Sequence, residues 1–173
     1  MPKVILIVGR KKTGKSVFIA KTYYEIGKGR NVYIYDKNRE YKWKFNIDNE
    51  YKGSIDDEHF ISFVSDKKNS FIVYEEASTY LSGMSRNSKE AHQIKNLITR
   101  SRHNNNILIL AFTSIADIPP FIYSDSDYMV LYKTNDFPSS IDTRFRKNEQ
   151  FMGAYERVRA SEDLHFFEFF EVT

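Results

Sequence analysis

Residues 9–16 read Gly-Arg-Lys-Lys-Thr-Gly-Lys-Ser, the spacing G-x-x-x-x-G-K-[ST]. The apolar run Val4, Ile5, Leu6, Ile7, Val8 precedes it, and the helix-compatible run Val17, Phe18, Ile19, Ala20 follows. A strand, a glycine-bearing loop and a helix N-terminus in that order make a cradle for phosphate. Successive backbone N–H groups converge on one anion, and the helix dipole favours negative charge there. Gly9 and Gly14 allow the backbone to turn and to approach the ligand closely. Lys15 is placed to reach β- and γ-phosphates, and the Ser16 hydroxyl to ligate Mg²⁺. The expected nucleotide-contacting segment is therefore Gly9, Arg10, Lys11, Lys12, Thr13, Gly14, Lys15, Ser16 and Val17, with ATP and Mg²⁺ as its ligands. Arg10, Lys11 and Lys12 are unusually cationic for the variable positions. They either add phosphate contacts, face a neighbouring subunit or are simply solvated.

A site that hydrolyses a nucleotide needs a second, acidic element to hold the metal and orient water. Phe71-Ile72-Val73-Tyr74-Glu75-Glu76 is an apolar strand that ends in two carboxylates. In an open parallel sheet its end converges on the same crevice as the phosphate loop. Glu75 is expected at the metal's hydration shell and Glu76 as general base toward the attacking water. Aspartate is usual at the first of these positions, and the extra methylene of Glu75 carries the carboxylate outward. Two adjacent acids favour water activation over an acceptor-substrate pocket.

The 173 residues suit one domain with a sizeable core, and 41% apolar with 16% aromatic content is too rich for a disordered chain. The absence of cysteine excludes disulfides and thiolate metal sites. No signal-peptide pattern or membrane-length apolar run is present, so an intracellular, cytoplasmic protein is expected. Net charge is only +3, but residues 1–30 hold eight Lys/Arg against one Glu, which places cationic charge around the phosphate loop. Strand-like runs at 3–8, 31–35, 70–74, 107–112 and 128–132 alternate with helix-like runs at 15–27, 56–63 and 88–102. In the last helix Ala91, Ile94, Leu97, Ile98 and Ser101 share a face. The alternation predicts a three-layer αβα fold on a mostly parallel central sheet with strand 1 near its centre. Residues 153–159 and 164–172 alternate well enough to predict a C-terminal β-hairpin within 151–173.

Three further stretches carry a family resemblance. Arg100-Ser101-Arg102-His103-Asn104-Asn105-Asn106 leads into the apolar run 107–112, then Thr113-Ser114 and Asp117-Ile118-Pro119. Val32-Tyr33-Ile34-Tyr35-Asp36 is followed by Glu40-Tyr41, and Asp125-Ser126-Asp127 leads into Tyr128-Met129-Val130-Leu131. With the two acidic and phosphate motifs, these span roughly residues 3–135 in the order of the FtsK–HerA superfamily of DNA-translocating ATPases, which the chain resembles. Within it the chain looks most like the small genome-packaging ATPases of viruses. The resemblance implies a RecA/FtsK-like fold of the additional-strand (ASCE) class. It also implies ATP hydrolysis at subunit interfaces of a homo-oligomeric ring, hexameric or pentameric, acting on double-stranded DNA with a portal or membrane-protein partner. The location implied is then the host cytoplasm or the virion vertex. Arg102, with Arg100 second, is the implied arginine finger acting in trans, and Thr113 or Ser114 the implied sensor, although the family's sensor glutamine is missing.

In such a translocase, residues 77–90 would form a pore loop in which Arg86 and Lys89 touch the DNA backbone without reading sequence; the alternative is an ordinary loop. Trp43, Tyr41 and Tyr51 are expected in core or edge packing in preference to base stacking. The competing functions are a small nucleoside or metabolite kinase with a lid in 136–150, a Zot-like phage-assembly ATPase and a nucleotide-switched binding module.

Overall fold

The apolar runs become strands at the expected residues: β1 (Lys3–Val8), β2 (Asn31–Tyr35), β3 (Ser70–Tyr74), β4 (Ile107–Phe112) and β5 (Tyr128–Tyr132). A sixth, β6 (Phe167–Glu171), follows near the end of the chain. The structure, a computed structural model, describes residues 1–54, 56–81 and 87–172. The strands form one sheet in the order β2-β3-β4-β1-β5-β6. The first five run parallel, with Val8 level with Phe112 of β4 and Leu131 of β5. Their carboxyl ends therefore share one edge. β6 runs antiparallel to β5, pairing Tyr132 with Phe167.

The helices are α1 (Lys15–Thr22), α2 (Glu40–Phe45), α3 (Asp57–Ser65), α4 (Ala77–Leu81), α5 (Lys89–His103), α6 (Pro120–Ser124), α7 (Thr143–Arg146) and α8 (Glu149–Ala160). Strand alternation sends side chains to both faces of the sheet, and each face is covered. Val4, Leu6, Val8, Ile72 and Tyr74 pack with α3, α5 and α8. Ile5, Ile7, Phe71 and Val73 pack with Ile19 of α1 and Tyr41 of α2. This is the expected three-layer αβα arrangement. All five residues of the predicted α5 face are buried.

Helix starts follow local chemistry. The Asp56 carboxylate accepts from the His59 N–H and caps α3, and the Ser88 hydroxyl accepts from the Ala91 N–H and caps α5. After Thr22, α1 continues as a π-helical turn, Tyr23–Gly27, and Gly29 with φ +89° turns the chain into β2.

One expectation is corrected. The C-terminal antiparallel pair exists, but β6 pairs with β5, and the arm expected at 153–159 is part of α8. Only Arg157-Val158-Arg159 there alternates polar and apolar. Over a longer window Phe151, Ala154, Tyr155 and Val158 recur at helical spacing and are all buried. The Asn148 side chain caps the helix by accepting from the Phe151 N–H. Helix α2 was not expected at all. It starts after Arg39 and ends at Asn46, both in the left-handed region.

Gly153 lies inside α8, and an added Cβ would meet only the far end of the Arg157 side chain at 3.3 Å, a contact that a shift of a few tenths of an ångström relieves while the ion pair to Glu168 is kept. Gly153→Ala is therefore expected to raise unfolding stability by about 0.5–1 kcal/mol. Denaturant unfolding of the two proteins checks this; destabilisation would contradict a helix at this position.

Candidate nucleotide site

The shared carboxyl edge of the sheet opens into a crevice of about 590 Å³. Its lining includes Lys11, Lys12, Gly14, Lys15, Ser16 and Val17 from the phosphate loop and α1. Glu75 and Glu76 line it from the end of β3, and Thr113 from the end of β4. The structure thus brings the glycine-rich loop, the acidic pair and the sensor position expected from the sequence into one cavity.

The loop is held tightly. An added Cβ at Gly9 would stand 2.5 Å from the Tyr132 Cβ, so β5 leaves no room for a side chain there. Gly14 has φ +103°, a conformation glycine takes without strain. The buried Thr13 hydroxyl donates to the Arg10 carbonyl at 2.9 Å and closes the loop on itself. No side chain caps α1, and its first turn carries no acid. Its leading N–H groups are thus left for an anion.

Lys15 Nζ donates to the Gly9 carbonyl at 2.5 Å and the Arg10 carbonyl at 3.0 Å. Burial lowers its pKa, with Glu75 and Glu76 acting in the opposite direction. The ammonium therefore rests on the loop's own carbonyls, within the space where phosphate oxygens would be gripped.

Glu75 is the most perturbed carboxylate of the site. Burial raises its pKa to about 7, against the hydrogen bond from Tyr41 that lowers it. The Tyr41 hydroxyl donates to Glu75 Oε1, and the Ser16 hydroxyl lies 3.5 Å from the same oxygen. Tyr41 reaches this point because its own N–H donates to Asp36 at 3.1 Å, which ties α2 to the end of β2. Tyr41 packs in the core, as expected, but its hydroxyl also orients an acid of the site. Glu76 takes a left-handed conformation, φ +58°, unusual for a side chain of its kind, and such strain tends to gather at functional sites. Lys37 Nζ approaches its carboxylate at 3.7 Å.

Thr113 donates from both its N–H and its hydroxyl to Ser78 Oγ, at 2.9 and 3.1 Å. The strand that carries the sensor position is thus joined to the helix that follows the acidic pair. Arg10 donates to Asn135 at 3.3 Å and is turned toward β5. Lys11 and Lys12 line the crevice itself.

Arg100 and Arg102 are elsewhere. Arg102 donates to the Asp125 carbonyl at 2.8 Å and to Asp127 Oδ1 at 3.0 Å. Asp127 Oδ2 in turn accepts from the Val4 N–H at the start of β1. At about 3.3 Å per residue, β1 separates this group from the phosphate loop by roughly 15–20 Å. Arg100 pairs with Asp66. Lys89 pairs with Glu58 at 2.6 Å, and Arg86 lies outside the described residues. The segment 136–150, the lid candidate of the kinase reading, does not line the crevice: Phe145 is buried and Arg144 pairs with Asp142. Trp43, expected to be packed, is 83% exposed on α2, because Tyr41 and not Trp43 occupies the buried side of that helix.

The sequence reading missed Ser78, Lys37 and His165. His165 follows α8 and lines the crevice, with Nδ1 3.2 Å from the Thr13 carbonyl. No short motif carries these three, since each acts through a partner far along the chain.

No protein-family model matches the chain, and no curated protein matches it at a significant level. Solved structures do. The DNA-packaging ATPase B204 of Sulfolobus turreted icosahedral virus superposes with a TM-score of 0.71 at 20% identity, over 98% of this chain and 92% of that one. The genome-packaging NTPase B204 of Sulfolobus turreted icosahedral virus 2, in complex with ATP-γS, gives 0.73 at 19% identity, over 99% and 92%. The N-terminal domain of zonular occludens toxin from Neisseria meningitidis gives 0.56 at 16% identity, over 80% of each chain. The chain therefore has the fold of these proteins.

A pH prediction follows from Glu75. Its pKa stands above the ordinary 4.5, at about 7, so the folded chain holds this proton more tightly than the unfolded chain. Ionisation then costs stability as pH rises from 4.5 to 7, by no more than about 3 kcal/mol. Glu75→Gln is expected to match the wild type in stability near pH 4 and to exceed it at pH 8, without nucleotide or metal. Denaturant unfolding at the two pH values checks the sign.

Proposed function

We propose that this chain is an ATP-hydrolysing motor that translocates double-stranded DNA, of the genome-packaging kind. The observation that carries the hydrolytic part is the convergence of Lys15, Ser16, Glu75, Glu76 and Thr113 on one crevice at the carboxyl edge of the sheet. The packaging part is supported by the likeness in fold to B204 over nearly the whole chain.

Magnesium fits the residues present. Ser16 Oγ and Glu75 Oε1 are hard oxygen donors 3.5 Å apart, and a buried carboxylate with a raised pKa gains from a nearby cation. Ser16 would hold the ion directly and Glu75 through its hydration shell. Bound there, magnesium would neutralise charge on the β- and γ-phosphate oxygens. The Gly9 and Arg10 N–H groups donate to the Phe112 and Lys133 carbonyls, so the N–H groups of residues 11–17 orient the triphosphate. Lys15 exchanges the Gly9 and Arg10 carbonyls for phosphate oxygens. Glu76 accepts a proton from the water whose oxygen attacks the γ-phosphorus, and the β–γ bridging oxygen leaves with ADP. Thr113 is placed to register the γ-phosphate and pass the signal to Ser78 on α4.

Arg102 is separated from its own crevice by the length of β1, so it acts, in this reading, on the nucleotide of an adjacent subunit in a hexameric or pentameric ring. It must exchange Asp127 for phosphate to do so, with Arg100 as the second candidate. Lys89 and Arg86 are proposed to meet the DNA backbone. A portal or membrane-protein partner would anchor the ring; among the described residues no helix is long and apolar enough to cross a membrane. The likeness to the zonular occludens toxin domain favours a phage-assembly ATPase as the second reading.

ATP hydrolysis is expected to rise on addition of double-stranded DNA. Glu76→Gln should lower it by at least about 100-fold, in the range of general-base loss, while ATP binding persists. Steady-state phosphate release checks both; turnover indifferent to DNA would favour the second reading. Arg102→Ala alone should also be inactive, and mixing it with Glu76→Gln subunits should restore part of the activity. Normal turnover by Arg102→Ala alone would remove the trans role.

A further inference from the structure

The crevice has two sides, set by the strand order. Glu75, Glu76 and Thr113 stand at the ends of β3 and β4, on one side of β1; β5 and β6 stand on the other. A γ-phosphate that faces Glu76 sends the rest of the nucleotide the opposite way, past Ser16 and Val17 toward β5 and β6. What awaits it there is His165. The imidazole is exposed and lines the crevice, 3.5 Å from the point where a Gly14 Cβ would lie. Val17 of α1 is a 47% exposed apolar side chain lining the same cavity.

The ring is held in place. The backbone N–H of His165 donates to Asp163 Oδ1 at 2.8 Å and fixes the chain that carries the ring. Two residues on, Phe167 packs against both Phe18 of α1 and Tyr132 of β5, with ring centroids 5.5 and 5.1 Å apart. The Tyr132 ring passes 3.8 Å from the position of a Gly14 Cβ, so the same aromatic group supports the loop and the segment above it. His165 Nδ1 lies 3.2 Å from the Thr13 carbonyl. A carbonyl only accepts, so Nδ1 carries the proton, leaving Nε2 and the ring face for a ligand.

We propose that His165 forms the nucleobase subsite of this crevice, stacking on the base of the bound nucleotide while Val17 packs beneath its sugar. The proposal rests on the nucleotide-binding reading of the same crevice. It makes the C-terminal strand part of the binding site, because β6 and its aromatic anchor deliver the ring.

The test compares two ligands, ATP and inorganic tripolyphosphate, each with magnesium, by titration calorimetry on the full chain. Both engage the phosphate loop, and only ATP carries a base. His165→Ala should weaken ATP about tenfold, the size of one base–aromatic stack, and leave tripolyphosphate unchanged. His165→Phe should retain most of the ATP affinity. Equal losses for both ligands would show that His165 only shapes the loop through Thr13 and would overturn the proposal, as would ATP binding unchanged in His165→Ala. A wild-type chain that binds neither ligand would overturn the nucleotide reading itself. A wild-type chain that binds both equally would leave that reading standing and overturn the base subsite alone.

Discussion

The insertion of β4 between β1 and β3 is the constraint on which the site depends. Parallel pairing puts every carboxyl end at one edge, and neighbouring strands lie about 4.8 Å apart. The phosphate loop after β1 and the acidic pair after β3 thus stand two strand spacings apart, about 10 Å. That gap admits a phosphoryl group and a hydrated cation between facing groups. Thr113 emerges from the intervening strand, midway between loop and acids. Without β4 the loop and the carboxylates would abut, and Lys15 would pair directly with Glu75. The apolar side chains that cover both faces of the sheet serve to keep this ladder in register.

Electrostatics give the crevice its preference for a ligand of mixed charge. Burial works against the charged forms of both Lys15 and Glu75, and each partly relieves the other across the gap. In the proposed reading a triphosphate would satisfy the lysine and the N–H groups at the start of α1, and a divalent cation would satisfy the carboxylate. Tyr41 and Asp36 hold the acid in place from the neighbouring strand, so the segment after β2 belongs to the site.

The strands were legible because each is a short, largely apolar run bounded by polar or turn residues; β1 to β5 needed no more. The phosphate loop was legible because its chemistry is local: nine consecutive residues supply the whole cradle. Helix α8 was misread because the window 153–159 was weighed on the alternation of Arg157-Val158-Arg159 alone, while Phe151, Ala154, Tyr155 and Val158 recur at the helical period over the longer stretch. Lys37, Ser78 and His165 were invisible for another reason. Lys37 meets Glu76 and Ser78 meets Thr113 across the sheet edge, and His165 reaches Thr13 from the far end of the chain. Such pairings are set by topology, not by spacing. The Arg102 position shows the converse. The sequence marked the residue, and only the fold showed that it sits beyond reach of its own crevice.

The central claim is that the crevice at the carboxyl edge is a nucleotide site whose lysine and acids face a triphosphate. A crystal structure with magnesium and a non-hydrolysable ATP analogue tests it most directly. The account predicts phosphates seated on the N–H groups of residues 11–17, Lys15 Nζ moved from the Gly9 and Arg10 carbonyls to phosphate oxygens, and the metal on Ser16 with Glu75 in its hydration shell. An analogue bound elsewhere, or Lys15 still on its carbonyls beside a bound nucleotide, would contradict it.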